Sequence, residues 1–323
     1  MVRRMDSADK PFFNKVAVLG LGLIGSSLCL LMKQEGLAGT IAGNARSQAT
    51  LDTALEIGFI DSAHSSPIDA VEDADLIVLA TPVGANKKIA EAICQSLKPG
   101  AIITDVGSVK VAVIRDVAPR LPKGVHFVPG HPVAGTEHSG PTSGFPELFA
   151  NRYCILTPSE ETDPKSVALI RALWETAGSI VEIMDAPHHD RVLAITSHLP
   201  HLIAYTIVGT ASDLEGQLRN KKSSNGPEEK TEEVIKFSAG GFRDFTRIAA
   251  SDPIMWRDIF LNNKDAVLEL LGRFIEDLTA MQRAIRWEEG ETLESTFRRR
   301  RKIRRDIIEM GQAGSFNPNE TEG

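Results

Sequence analysis

Cysteine is scarce in this sequence of 323 residues, which contains only Cys29, Cys94 and Cys154. These three lie far apart, with no CxxC pair and no Cys/His group at the spacing of metal ligands. The pattern argues against a disulfide framework and predicts no metal site. It favours a protein of the reducing cytoplasm.

Positive charge is not in excess either. The formal net charge is -7, and a general nucleic-acid binder would need a basic field, so nucleic acid is not expected as a partner. An anionic substrate would have to be bound by local arginines. The basic run Arg298–Arg305 is predicted to be the solvated face of a terminal helix, and an anionic membrane or nucleic-acid surface is the alternative.

Long apolar runs are also missing. Residues 1–13 carry charge without the apolar core of a signal peptide, and no later run approaches the roughly 18 apolar residues of a membrane span. We therefore expect neither secretion nor a membrane partner. The composition, 42% apolar and 24% charged, is that of a soluble globular protein.

Strand-like apolar runs alternate with helical stretches through the first half of the chain. Such runs suit a mostly parallel sheet covered on both faces, and they occupy residues 16–19, 76–80, 101–104, 153–156 and 180–183. After residue 187 the periodicity is helical, interrupted by the polar segment Arg219–Glu233. We predict an α/β fold with a Rossmann-type, doubly wound dinucleotide-binding domain at residues 14–187, an all-helical substrate and dimerisation domain at 188–311, and flexible tails at 1–13 and 312–323.

A glycine pattern, Gly20, Gly22 and Gly25, directly follows the first strand and opens a helical stretch. The first glycine permits a tight turn, the second lets the backbone approach a pyrophosphate, and the third allows close packing of helix and strand. Backbone N–H groups around Leu23 and Ile24 would meet the anion at the helix start. The segment predicts a dinucleotide site.

The second strand, residues 40–43, is followed by Asn44, Ala45, Arg46 and Ser47, without a carboxylate to accept the ribose hydroxyls of NAD. A guanidinium at Arg46 suits the 2'-phosphate of NADP, so NADP is slightly favoured over NAD. The alternative is that Arg46 faces solvent while NAD binds through the backbone and Ser47.

Three more candidates follow strands, at the carboxyl edge where open α/β sheets bind ligands. Thr81 and Pro82 are predicted cofactor contacts, and Ser108 is a polar contact to substrate or nicotinamide or, equally well, a cap of the next helix. His131 follows the apolar run 126–128, with Glu137 close by in the sequence. An imidazole there could take the proton of an alcohol that loses hydride, although a lone loop histidine is more often structural.

The helical half offers a second set of polar residues. Ser197 and His201, four positions apart, share one helix face. Asp244 and Arg247 lie beside a predicted helix start, followed by Trp256. An arginine placed near glycines can bind a carboxylate, and a purely structural Arg–Asp pair is the alternative.

Five segments taken together resemble the prephenate/arogenate (cyclohexadienyl) dehydrogenase family of tyrosine biosynthesis. They are GLGLIGSSL, DVGSVK, GHPVAGTEHSG, TSHLPHLIA and GGFRDFTRIAASDPIMW, in order between Lys15 and Asp277. The resemblance implies an N-terminal Rossmann domain, a C-terminal helical domain that forms a homodimer, and an NAD(P)-dependent oxidative decarboxylation. Many family members carry an acid at the end of the second strand, where this chain has Ala45.

The resemblance also implies residue roles. His131 matches the histidine that bonds the C4 hydroxyl of the substrate, with Ser108 beside it. His201 and Arg247 match positions that recognise the substrate carboxylate. The remaining implied positions are Asp244 and Glu137 in an ionic network and Ser197 and Trp256 in the pocket.

Two other interpretations are weaker. A β-hydroxyacid dehydrogenase relies on a lysine in a glycine-rich helix, and no lysine of the helical half follows such a pattern. A non-catalytic nucleotide-sensing module would need neither His131 nor the arginine cluster. The sequence does not separate prephenate from arogenate, which differ by a keto against an amino group.

Overall fold

The structure, a computed structural model, describes residues 11–136, 138–222 and 236–309, without the side chains of 218–222 and 309. The described residues form two compact units, divided between Val267 and Leu268. Glu137 and most of the predicted tails and of the predicted loop Arg219–Glu233 lie outside the described residues. The domain boundary at residue 187 stays a prediction.

Six parallel strands build the main sheet of the first unit. The strands are β1 Phe13–Leu19, β2 Ala38–Asn44, β3 Ser62–His64, β4 Leu76–Leu79, β5 Ile102–Asp105 and β6 His126–Val128. Their order is β3-β2-β1-β4-β5-β6, so the strand order reverses between β1 and β4. The intervening helices are α1 Leu23–Gln34, α2 Gln48–Ile57, α3 Pro67–Val71, α4 Asn86–Ile93 and α5 Val111–Val117. This is the predicted Rossmann-type arrangement.

Both faces of the main sheet are buried. Along β1, Val16 and Val18 belong to one apolar cluster and Ala17 and Leu19 to the other, and all four have no exposed surface. Successive side chains of a strand point to opposite faces, so a strand buried on both sides must be apolar throughout. That requirement is why a continuous apolar run, without alternation, predicted this strand correctly.

A second sheet of three strands follows. It contains β7 Gly130–Pro132, β8 Tyr153–Leu156 and β9 Ile180–Ile183, with α6 Pro164–Thr176 between the last two. The apolar runs 153–156 and 180–183 therefore belong to a separate sheet, in which β7 is antiparallel to β8. Pro129 separates β6 from β7, and a proline cannot donate to a strand ladder, so the main sheet ends there.

The described residues after β9 are mainly helical, as predicted. The helices are α7 Ala186–Leu193, a π-helical turn Ala194–His198, α8 Leu199–Lys222, α9 Gly240–Thr246, α10 Pro253–Asn262, α11 Lys264–Arg286 and α12 Gly290–Glu309. The side chain of Asp185 accepts the N–H of His188, which fixes the start of α7. Helix α8 continues to Lys222, into the first residues of the segment predicted to be a loop.

The second unit consists of the remainder of α11 and of α12. The basic run Arg298–Arg305 lies exposed on α12, as predicted for a solvated helix face. On α11, large apolar side chains are also exposed, at positions seven and three residues apart. They are Leu268, Ile275, Leu278 and Ile285, with 51 to 64% of their surface exposed.

Candidate active site

The glycine turn after β1 is shaped by close packing. Gly20 has φ +104°, and a Cβ there would lie 2.4 Å from the carbonyl oxygen of Ala80. A Cβ on Gly25 would lie 2.0 Å from the carbonyl oxygen of Gly20. Gly22 has no neighbouring atom within 4 Å of a Cβ, so the space above it is open. Two glycines therefore serve the packing, and the third leaves room for a ligand.

Helix α1 begins directly after this turn. Gly22 is its N-cap, without a side-chain cap, and its carbonyl accepts the N–H of Ser26. The first N–H groups of a helix, here around Leu23 and Ile24, have no partner within the helix and carry the positive end of its dipole. The open space at Gly22 and these donors fit the pyrophosphate of a dinucleotide.

The end of β2 lies next to the glycine turn. The carbonyl of Asn44 accepts the N–H of Gly20 at 2.9 Å, and its side-chain amide donates to the carbonyl of His64 at 2.8 Å. Arg46 is exposed, and Ser47 begins α2 without a side-chain cap bond. Both side chains therefore lie near the glycine turn and are available to a ribose or its phosphate.

At the end of β4, Thr81 donates to the Oδ1 atom of Asn86 at 3.1 Å, and Pro82 is exposed. Asn86 is 1% exposed, and its Nδ2 has no partner among the described residues. A buried amide donor without a partner is costly, which makes Asn86 a candidate contact for a bound ligand. An asparagine on a helix carries no motif of its own, so Asn86 was not predicted from the sequence.

The segment after β5 holds a buried ion pair. The Nζ of Lys110 lies 2.5 Å from Oδ2 of Asp105 and 2.6 Å from the carbonyl oxygen of Gly130. Burial lowers the pKa of Lys110 and raises that of Asp105, and the attraction between the two opposes both shifts. The pair joins β5 to β7. Although both residues belong to DVGSVK, they were not singled out from the sequence.

Ser108 lies between these two residues in the chain and is half-buried. It does not cap α5, because the N-cap is Lys110 and the first N–H groups of the helix bind Asp190 instead. Its hydroxyl forms no hydrogen bond within the described ranges. The side chain is therefore free to contact a substrate.

His131 lies on β7 and is 6% exposed. Its Nδ1 is 2.8 Å from Nε2 of His189, whose Nδ1 is in turn 2.8 Å from Oδ1 of Asp190. Burial holds the pKa of His131 well below its ordinary value, and the charge of Lys110 lowers it further, as a proton on His189 would. The ring is thus neutral at physiological pH and able to accept a proton.

A second group of predicted residues lies together in the helical part. The rings of His201 and Trp256 are stacked, with centroids 3.7 Å apart, and the Nδ1 of His201 meets the carbonyl oxygen of Ser197 at 2.8 Å. Burial lowers the pKa of His201. The hydrogen bond to Ser197 opposes this shift, and the charge of Arg247 adds to it. Asp244 and Arg247 are both exposed. The Nε1 of Trp256 is buried without a partner among the described residues.

Asn263 connects the residues around His131 with the His201–Trp256 stack. Its Nδ2 donates to the carbonyl oxygen of Asp190 at 2.8 Å and lies 3.1 Å from Nδ1 of His198, whose ring packs against Trp256. The structure therefore brings His131 and the His201–Trp256 stack to one region. Glu137 lies outside the described residues. In the described ranges, no group of three or more His, Cys, Asp or Glu side chains is arranged to hold a metal ion.

The chain is similar to known proteins over most of its length. Residues 28–183 match the nucleotide-binding domain of prephenate dehydrogenase, and residues 185–299 match its dimerisation domain. The chain is 41% identical over 292 residues to the cyclohexadienyl dehydrogenase of Zymomonas mobilis, covering 90% of this chain and 95% of that protein. It is 34% identical over 302 residues to the prephenate dehydrogenase of Bacillus subtilis, covering 93% and 78% of the two proteins.

A crystal structure of prephenate dehydrogenase from Aquifex aeolicus, in complex with hydroxyphenyl propionate and NAD+, has a similar fold. The TM-score is 0.81 at 33% identity, and the match covers 94% of this chain and all of that one (100%). The similarity extends over both the sheet and the helical part.

One stretch is more apolar than the sequence analysis anticipated. Residues Ala186–Gln217 contain a window of 18 residues with mean hydropathy 1.4, enough by length and composition alone to cross a membrane, and 28% of it is buried. The stretch lies in the part that matches a dimerisation domain. A domain that pairs two subunits exposes apolar surface in a single chain, which accounts for this composition.

Proposed function

This chain belongs to the prephenate dehydrogenase family, and on that basis we propose the residue roles and the cofactor preference of its reaction. The reaction is the oxidative decarboxylation of prephenate, arogenate or both, with hydride transfer to a nicotinamide cofactor, in tyrosine biosynthesis. The enzyme is a homodimer. A β-hydroxyacid dehydrogenase and a nucleotide sensor are not favoured by these comparisons.

His131 is the proposed proton acceptor. Its Nε2 accepts the proton of the C4 hydroxyl while hydride leaves that carbon, and the ring carboxylate departs as CO2 so that the ring becomes aromatic. When bound, the nicotinamide supplies the hydride acceptor. This role rests on the position of His131, which is buried on β7. Its Nδ1 contacts His189, and its Nε2 has no partner among the described residues. Ser108, with its free hydroxyl, is the proposed second contact to the C4 hydroxyl.

The substrate carboxylate is assigned to Arg247 and His201. The half-buried imidazole of His201 stacks on the buried ring of Trp256, whose Nε1 is a donor without a partner among the described residues. Ser197 completes this side through its contact with His201. Asp244 is proposed to orient Arg247. The same role is proposed for Glu137 on the resemblance alone.

The cofactor contacts are proposed at the glycine turn and at the ends of β2 and β4. They are Gly20, Gly22, Leu23, Ile24, Gly25, Arg46, Ser47, Thr81 and Pro82. The relative from Aquifex aeolicus was crystallised with NAD+. In this chain the exposed guanidinium of Arg46 and the uncapped Ser47 support NADP as the slightly preferred cofactor. We place the enzyme in the cytoplasm because its three cysteines are unpaired.

The testing experiment measures formation of reduced cofactor by the full-length protein, with prephenate and arogenate each paired with NAD and NADP. Turnover is expected in at least one combination and names the substrate and cofactor together. His131→Asn is expected to lower kcat by about 100-fold or more with cofactor binding retained. Full turnover by this variant would remove His131 from its role, and silence of the wild type in all combinations would refute the function.

A further inference from the structure

We propose that His189 and Asp190 are positioning residues that fix the protonation pattern of His131, leaving its Nε2 as the proton-accepting atom. This inference rests on the proposed role of His131. Neither residue belonged to a motif that we recognised in the sequence. The geometry that supports it is a chain of hydrogen bonds from the start of α5 to the ring of His131.

The chain begins at the carboxylate of Asp190. Its Oδ1 accepts the N–H of Lys110 at 2.7 Å, and its Oδ2 accepts the N–H of Val111 at 3.0 Å. These are backbone donors at the first turn of α5, where they have no partner within the helix. Backbone N–H groups can only donate, so both carboxylate oxygens of Asp190 act as hydrogen-bond acceptors.

The second link is His189, whose ring has no exposed surface. Its Nδ1 lies 2.8 Å from Oδ1 of Asp190, and since the carboxylate cannot donate, this nitrogen must carry a proton. Burial lowers the pKa of His189, so the ring is neutral and its Nε2 is unprotonated. The Nε2 of His189 is therefore an acceptor.

The third link is His131. Its Nδ1 is 2.8 Å from Nε2 of His189, and an acceptor on His189 requires Nδ1 of His131 to donate. A neutral imidazole carries one proton, so Nε2 of His131 holds a free lone pair. This atom has no hydrogen-bond partner among the described residues. The chain thus selects the tautomer that the reaction needs, since the other tautomer would turn its base toward His189.

The same chain stabilises the product of proton transfer. Once Nε2 of His131 is protonated, the imidazolium still donates from Nδ1 to His189, with the charge of Asp190 behind it. Three other groups face the two histidines: the ammonium of Lys110, the carboxylate of Asp105 and the ring of His198. The charge of Lys110 disfavours protonation of both histidines, which keeps the resting pair neutral.

The test compares two substitutions of His189 in the full-length enzyme. His189→Leu removes the acceptor, whereas His189→Gln can supply a side-chain oxygen to Nδ1 of His131. For the leucine variant we expect kcat to fall by about 10- to 1,000-fold, with KM changed by less than about 3-fold. The acidic limb of its kcat/KM profile should move to lower pH, because protonated His131 loses its acceptor. The glutamine variant should recover most of kcat and of the limb.

The matched control is His188→Leu, the same change at the exposed neighbouring residue of α7. It is expected to keep the wild-type kcat and pH profile. If His189→Leu does not fold, judged by loss of cofactor binding, Asp190→Asn takes its place. That variant removes the charge at nearly constant volume, and we expect at least about a 10-fold loss of kcat with the same displacement of the limb.

Two results would overturn the inference while the function stands. One is a wild-type kcat and pH profile in His189→Leu with a folded protein. The other is equal loss in the leucine and glutamine variants, with the acidic limb unmoved, which would mark a structural role only. Absence of turnover in the wild-type protein itself would refute the proposed function, and the inference with it.

Discussion

The ammonium of Lys110 and the carboxylate of Asp105 lie 2.5 Å apart, and neither side chain has any exposed surface. Asp105 also accepts the N–H groups of Gly107 and Gly130, so the pair holds the loop after β5 against β7. His131 is the next residue after Gly130. The position of His131, the proposed base, therefore depends on a buried ion pair to which it is not itself hydrogen-bonded.

Removing one member of this pair should destabilise the protein strongly. Lys110→Met leaves the carboxylate of Asp105 buried without its cation, and we expect a loss of about 3 to 5 kcal/mol in the free energy of unfolding. Denaturant unfolding measures it. The control is Lys33→Met, which breaks the half-exposed pair with Asp61 (2.7 Å) and should cost about 1 kcal/mol or less. Equal losses in the two variants would contradict the assignment of Lys110 as a buried, paired cation.

Substitutions in the glycine turn can separate an effect on cofactor binding from an effect on stability. Gly22→Ala meets no atom within 4 Å and has an ordinary φ of -82°, so the free protein should keep its thermal stability. The added methyl group occupies the space proposed for the pyrophosphate, and the Kd for the cofactor should rise by about 10-fold or more. Calorimetric titration with NAD and NADP measures it.

Gly25→Ala is the contrasting variant at the same turn, because its Cβ would lie 2.0 Å from the carbonyl oxygen of Gly20. Here the free protein itself should lose stability, by about 2 kcal/mol or more. If Gly22→Ala bound cofactor like the wild type, the pyrophosphate would have to lie elsewhere.

The proposed preference for NADP can be tested at Arg46. Arg46→Ala is expected to lower kcat/KM for NADP by about 10-fold, because a guanidinium bound to phosphate contributes roughly 1.4 kcal/mol or more, and to leave kcat/KM for NAD within about 2-fold. The control is Arg115→Ala, an exposed arginine paired with the adjacent Asp116. A parallel change for both cofactors in the Arg46 variant would show that this residue does not read the 2'-phosphate.

Acid should destabilise the protein through its buried histidines. Burial lowers the pKa of His198 to about 4, so between about pH 6.5 and 4 the unfolded chain binds a proton that the folded one does not. Stability therefore falls as the pH drops through this window, by up to about 3 kcal/mol for this residue. His131, His189 and His201 have lowered pKa values as well and act in the same direction.

Urea unfolding at pH 7 and pH 4.5 measures the effect. The wild-type protein should lose stability between the two values, and His198→Gln should lose less because its side chain does not titrate. His188→Gln, at an exposed position, should behave like the wild type. An identical loss in both variants would show that His198 does not contribute.

Local rules predicted a large part of the fold. Gly20 and Gly25 are required by contacts within a few residues of the turn or with the adjacent strand, so their spacing alone identified strand, turn and helix. The apolar runs of the main sheet were equally readable, since a strand covered on both faces cannot alternate. The separate sheet of β7 to β9 was not predicted. Apolar runs do not show which strands pair, and here the pairing changes after Pro129.

Candidate site residues were predicted only where they belong to a recognised segment. His131, His201 and Trp256 come from segments typical of the family, and the structure places them in one region, while their roles stay predictions. His189 and Asp190 were missed because their partners lie 58 to 80 positions away and no periodicity links them. Two adjacent histidines, His188 and His189, look alike in the sequence, and only packing decides that the second is buried.

The row of exposed apolar side chains on α11, Leu268, Ile275, Leu278 and Ile285, has a consequence for assembly. A newly made subunit carries this surface uncovered, and pairing is a bimolecular event whose rate depends on concentration. Dilution shifts such an equilibrium toward single subunits, so the thermal stability of the protein should depend on its concentration.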